Sequence, residues 1–261
     1  MASLFFTALV IQLCYVTIGY CISLVTKNNG LADVMYGPGI FLISLSTYIL
    51  APQPGVGATF ILGAIFLWAT RLALRIYKKN KGKPEDFRYK TWRDSWGKTF
   101  YLRSYFQIYL LQGIIMICVA VPAIVVSLFP TQSISPLLFV GLFIWVCGFI
   151  CEAIADYQLD SFIAAIKGGD TSRGTIMRYG LWKYSRHPNY FGESLQWWGL
   201  SLAAFSVSTI PLIPFVSPIL ITFLLLKVSG VPLLEKHFEG NPEWEVYKTK
   251  TSVFIPLPPK Q

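Results

Sequence analysis

Long uncharged stretches alternate with short polar ones along this chain. No charged residue occurs in 1–26, 34–70, 104–151 or 194–226. Each stretch has room for one or two helices of the about 20 residues that a bilayer core requires. The pattern predicts seven spans, at 3–25, 34–50, 56–77, 105–129, 135–155, 190–207 and 210–228. Uncharged turns rich in Pro and Ser break the runs at 51–54, 130–134 and 208–210. The first run lacks a basic n-region and is too long for a signal h-region, so it is read as a span. The expected fold is an all-α integral membrane protein, a seven-transmembrane-helix bundle forming one domain over 1–261.

Charge adds an orientation. The 78–104 loop carries nine basic residues, Lys78, Lys79, Lys81, Lys83, Arg88, Lys90, Arg93, Lys98 and Arg103. The 156–189 loop adds Lys167, Arg173, Arg178, Lys183 and Arg186. The turns expected on the other side carry no charge. By the positive-inside rule, the N-terminus is outside and the C-terminus cytoplasmic.

Composition agrees, with 54% hydrophobic and only 13% charged residues, against about 25% charged in soluble proteins. The net charge of +9 sits in loops beside spans, so it points to membrane lipid or an anionic ligand and excludes a nucleic-acid reading. Five cysteines all fall in spans, without a C-x-x-C. His187 and His237 lie far apart and no H-E-x-x-H occurs, so no metal is expected.

The candidate chemistry gathers around Trp182-Lys183-Tyr184-Ser185-Arg186-His187-Pro188-Asn189-Tyr190-Phe191-Gly192-Glu193. Pro188 biases His187 away from helix and suits a first helical turn. A loop over 182–187 and a helix from about Pro188 follow, with free backbone N–H groups beside Arg186 and His187 to receive an anion. Glu193 then sits inside an expected membrane helix, where a carboxyl is a functional candidate. Asp33 and Tyr36 lie one turn apart. They form either an N-cap with an interfacial anchor or a polar pair facing a cavity beside an interrupted Gly37-Pro38-Gly39 helix. Arg71, Arg75 and Lys78 share a helical stripe, and Glu152, Asp156 and Asp160 form an acidic one. The acidic stripe serves either as ion pairs between helices or as acceptors for a nucleotide. The segment from Leu234 to Tyr247 reads as an amphipathic tail.

These residues carry a resemblance. Gly180-Leu181-Trp182, Arg186 to Glu193, then Leu234-Glu235, Phe238, Trp244, Tyr247 and Ile255-Pro256 resemble the steroid 5α-reductase family and its bacterial relatives. Asp33, Tyr36-Gly37, Arg71, Arg75 and Asn80 to Asp86 resemble the bacterial branch. The likeness implies a membrane oxidoreductase that uses NADPH to reduce the 4,5 double bond of 3-oxo-4-ene steroids. It implies Glu193, Tyr36 and Asp33 as catalytic candidates. It places Asn189 at the nicotinamide, and Arg71, Lys81, Lys83, Asp160 and Tyr184 in cofactor contact. Asp156 stands where the animal enzymes have asparagine and Lys167 where they have arginine. Arg178, Trp182, Arg186, His187, Tyr190, Glu235 and Tyr247 complete the cofactor set, concentrated in 150–257. The glutamine-glutamate pair of the animal enzymes is missing from the second span. Isoprenylcysteine carboxyl methyltransferases carry a similar R-H-P-x-Y segment and use S-adenosylmethionine, but Gly192-Glu193 favours the reductases. The expected setting is a monomer in a bacterial inner membrane rather than the endoplasmic reticulum.

Overall fold

The computed structural model describes residues 2–130, 134–170, 172 and 174–260. Part of the expected 130–134 turn, and Arg173 of the second basic loop, lie outside the described residues. In chain order the helices are α1 (Ala2–Thr26), α2 (Leu31–Leu50), α3 (Val56–Asn80), α4 (Phe87–Trp96), α5 (Phe100–Arg103), α6 (Leu111–Val119) and α7 (Val121–Leu128). Then come α8 (Pro136–Lys167), α9 (Pro188–Val207), α10 (Val216–Phe223), α11 (Val231–His237) and α12 (Pro242–Lys250). Two π-helical segments, Ser104–Leu110 and Leu224–Val228, continue α5 and α10. Among the described residues there is no strand, only the isolated bridges Pro130–Ser208 and Ser185–Ser252.

Among the described residues, six helical stretches are long and apolar enough to cross a membrane: α1, α2, α3, Phe87–Val119, α8 and Ile213–His237. The chain is therefore a multi-pass helical membrane protein. Of the seven expected spans, the one over 190–207 is not among these six. It corresponds to α9, which has the length, 20 residues, but Asn189, Glu193 and Gln196 dilute its hydropathy.

The chain divides into two compact units. The first comprises Met1–Leu138 and Leu202–Ser217. Its centre is α2, which packs against α1, α3, α6 and α7 around buried Ile40, Ile43, Ile61, Ile65, Trp68 and Met116. Pro38 lies inside α2 without breaking it, so the interruption expected at Gly37-Pro38-Gly39 does not occur. Those glycines serve packing instead: a Cβ on Gly37 would lie 3.1 Å from the Ala69 backbone, and one on Gly39 2.3 Å from Met116 Sδ. Ser217 closes the unit by donating to the Val119 carbonyl at 2.7 Å.

The second unit comprises Phe139–Ser201 and Pro218–Gln261. Its two long helices meet along a glycine seam. A Cβ on Gly192 would lie 2.6 Å from Glu152 N and 2.7 Å from Gly148 O, and one on Gly199 2.6 Å from Gly141 O. Small residues let helix backbones approach this closely, and the contact brings polar groups of α8 and α9 within hydrogen-bond reach. Ser194 and Thr222 hydroxyls pair at 2.6 Å beside the seam.

Candidate functional site

The central stretch is held from three directions within the second unit. Gly180, at φ 59°, opens a single 3₁₀ turn over Gly180–Lys183. Gln158 of α8 accepts from Leu181 N at 3.0 Å, and Trp182 Nε1 donates to the Ala155 carbonyl at 3.0 Å. From α12, the buried Tyr247 hydroxyl donates to the carbonyls of Trp182 and Ser185. Burial pushes the Tyr247 hydroxyl above its ordinary range, which keeps it a donor. The segment after α12 runs beside the stretch. Arg186 N donates to Ser252 O at 2.8 Å, Ser185 Oγ to Phe254 O at 2.7 Å, and Leu257 N to Tyr184 O at 2.9 Å. Backbone groups that a loop would leave open are thereby paired.

Within that frame, Arg186 and His187 are buried and converge on α11. Glu235 Oε1 lies 3.0 Å from Arg186 Nε and 3.1 Å from His187 Nε2. The Arg186 Nε contact is an ion pair whose N–H is not aimed at the oxygen. Arg186 also donates from Nη1 to the Lys248 carbonyl at 3.0 Å and lies over the Trp244 ring. Tyr190 stacks on His187, with ring centroids 5.4 Å apart and planes 6° apart.

A buried polar face continues down the helix. Asn189 Nδ2 donates to Asp156 Oδ1 at 3.2 Å, and Gln196 Nε2 to Glu152 Oε2 at 2.6 Å. Glu193, 8% exposed, lies between Asn189 and Gln196 on the same face. Burying this many charged and amide groups beside apolar helices is unfavourable unless they are paired or used. Asp156, Asn189, Arg186, His187, Tyr190 and Glu235 are thus gathered, with Trp182 and Tyr247 as the buttress beneath. Asp160, Lys167, Arg178 and Tyr184 are exposed.

The remaining candidates belong to the first unit. Asp33 sits in the first turn of α2, whose N-cap is Gly30, so Asp33 does not cap the helix. Its carboxylate accepts from Arg88 Nη2 at 2.8 Å and from Tyr89 Oη at 2.7 Å, which ties α2 to α4. Asp86 caps α4 by accepting from Arg88 N at 2.9 Å. Burial alone raises the Asp86 carboxyl, but the Arg88 hydrogen bonds and charge outweigh it and hold the group below the usual range. Tyr36 packs edge-on to Trp68, and Arg71 is half-buried on α3. Lys81 and Lys83 line a cavity of about 380 Å³ with Ile22, Leu31, Val34 and Tyr77.

Several of these partners escape a reading of the sequence. Gln158 and Ser252 match no motif, and their partners lie far away in the chain. The repeat Gly141-x₆-Gly148 and its counterpart Gly192-x₆-Gly199 is a legible signal for the seam.

Six apolar helical stretches among the described residues, together with a buried, hydrogen-bonded polar face, define a multi-pass membrane protein with a polar centre. More particularly, the chain belongs to the family described as protein of unknown function DUF1295, whose family profile matches residues 19–251. It is similar to an uncharacterized protein of Schizosaccharomyces pombe, at 25% identity over 90% of this chain and 74% of that one. A 73-residue stretch, 28% of this chain, is 36% identical to 3-oxo-5-alpha-steroid 4-dehydrogenase 1 of Macaca fascicularis and of Homo sapiens. That stretch covers only 26% and 27% of those two proteins. No solved structure matches the chain.

Proposed function

We propose that this protein is an NADPH-dependent membrane reductase that saturates the 4,5 double bond of a 3-oxo-4-ene steroid or a similar lipid-soluble enone. One observation carries the reading: the polar face of His187, Asn189 and Glu193 at the start of α9, with His187 and Glu193 buried, in a chain with local likeness to a 3-oxo-5-alpha-steroid 4-dehydrogenase. Seven spans belong to it, with α9 as the seventh; its 20 residues extend roughly 30 Å at 1.5 Å per residue. The N-terminus is outside and the polar centre opens to the cytoplasm, where NADPH is found.

The residues fit such a cofactor. His187 Nδ1 and Asn189 Oδ1 are buried and have no hydrogen-bond partner among the described residues, and a carboxamide or ribose offers the donors they lack. Asn189, His187 and Tyr190 would hold the nicotinamide end, with Arg186 and Trp182 supporting the loop. When bound, NADPH supplies the hydride. Reduction of the enone places negative charge on the carbonyl oxygen, and a donor aimed there lowers the barrier. Glu193, in its protonated form, is the donor proposed within the second unit. The Tyr36 hydroxyl of α2 is the alternative. The face excludes water because α8 and α9 meet backbone to backbone at the seam.

The test is purified protein in detergent with NADPH and a 3-oxo-4-ene steroid. The expected outcome is a product two mass units heavier, formed as NADPH is consumed. S-adenosylmethionine binding without NADPH oxidation would replace this reading with methyl transfer.

A further inference from the structure

We infer that Glu235 is a positioning residue that fixes the tautomer of His187, so that His187 Nδ1 accepts a hydrogen bond from an N–H or O–H group of the bound dinucleotide. The ligand part of this inference rests on the reductase reading above; the tautomer part does not.

The geometry begins with a single oxygen. Glu235 Oε1 faces both Arg186 Nε at 3.0 Å and His187 Nε2 at 3.1 Å. A carboxylate only accepts, so His187 Nε2 must carry a proton to make its bond. The one negative charge of Glu235 already faces the Arg186 guanidinium, and Lys248 adds a second positive charge nearby. In the neutral imidazole the proton is therefore on Nε2. Nδ1 is then a bare lone pair. His187 is 3% exposed, and Nδ1 has no hydrogen-bond partner among the described residues. Stacking on Tyr190 holds the plane of the ring. A buried acceptor that is left unpaired is unfavourable, so the arrangement calls for a donor from outside the chain.

The same logic recurs twice on α9. Asp156 takes the donor end of the Asn189 amide, and Glu152 takes that of Gln196. In both cases the amide oxygen is the buried atom left without a partner. Three carboxylates therefore turn three side chains so that acceptors remain. These three acceptors suit the donors of a carboxamide NH₂ and of ribose hydroxyls, which a phosphate lacks. The face accordingly takes the nicotinamide-riboside end of the dinucleotide rather than its diphosphate.

The experiment uses the full chain in detergent, labelled with ¹⁵N-histidine. Only His187 and His237 are labelled, and the spectrum of His187→Gln assigns them. At about pH 8, above the ordinary imidazole range of about 6.5, ligand-free wild type should show His187 protonated at Nε2 and bare at Nδ1. In Glu235→Lys the ammonium, which has no acceptor, donates to Nε2, and the proton should move to Nδ1. NADPH affinity, measured by titration, should then fall by about tenfold or more, since two donors now face each other. A wild-type His187 protonated at Nδ1, or at both nitrogens, overturns the inference without any variant being needed. A variant with an inverted tautomer and unchanged affinity overturns the ligand part. Wild type that fails to bind NADPH overturns the reductase reading, while the ligand-free spectrum still decides the tautomer.

Discussion

Glu193 is the carboxyl most exposed to test, because it lies buried in a helix between Asn189 and Gln196. General acid catalysis contributes about 10²–10⁴-fold in rate. Glu193→Gln keeps the shape and loses the acidic proton, so turnover should fall by roughly two orders of magnitude on that scale while NADPH affinity changes far less. Melting temperature and NADPH oxidation, read on one preparation, check this; a stable variant with full activity would sink the assignment. Asp33 is expected to behave differently, because both of its oxygens are taken by Arg88 and Tyr89. Asp33→Asn leaves the Arg88 charge without this partner, so it should lower stability by about 1–3 kcal/mol, as removing one member of a paired buried group does. Activity per folded molecule should hold. Individual residues were unevenly legible. Arg186, His187 and Glu193 stand in a motif and could be picked out, whereas the partners of Asp33 lie 55 and 56 residues further along. No local pattern links such positions.

Among the elements, α9 and its seam with α8 are the most constrained. A Cβ at Gly148 or Gly192 meets backbone atoms of the facing helix, which cannot move aside as a flexible side chain can. Gly192→Ala and Gly148→Ala should therefore each destabilise by about 1–3 kcal/mol, the usual range for overpacking. Gly63→Ala is the control, since a Cβ there meets nothing within 4 Å. Thermal unfolding of the three variants in one detergent makes the comparison. Tyr247→Phe probes the buttress under the central stretch. It removes the donor to the Trp182 and Ser185 carbonyls and should lower stability by about 1–3 kcal/mol. The Tyr247 pKa is raised by burial, so its contribution is fully present below the unfolded value of 10.0 and is lost as pH rises through the folded one. The gap between wild type and Tyr247→Phe should thus stay constant up to about pH 10 and close above it. At this scale the sequence was informative where period and punctuation agree, since Pro188 does begin α9, but the tail read as one amphipathic segment is two helices, α11 and α12. It misled at Gly37-Pro38-Gly39, because a glycine chosen for a close helix contact looks the same as one chosen for a break.

For the whole molecule, the apolar runs made the membrane class plain from the chain alone, and six stretches meet the requirement for spanning. α9 falls short of that requirement because Asn189, Glu193 and Gln196 lower its hydropathy. The proposed topology places the 78–104 and 156–189 loops on the cytoplasmic side, following their lysines and arginines. With the five native cysteines replaced, single cysteines at Lys90 and Arg178 should resist an impermeant thiol reagent applied to intact cells and react once the cells are opened. Ready labelling of either from outside refutes the orientation. The pairing of Ser185 with Phe254 has a further consequence, for biosynthesis. The two residues are 69 apart in sequence, yet neither side of the pair is complete alone. A ribosome that has just completed α9 has therefore made every residue of the Arg186–Asn189 motif without the partners that hold it. Until residues 252–257 emerge, the backbone of that loop lacks those partners, and their translation decides when the site can assemble.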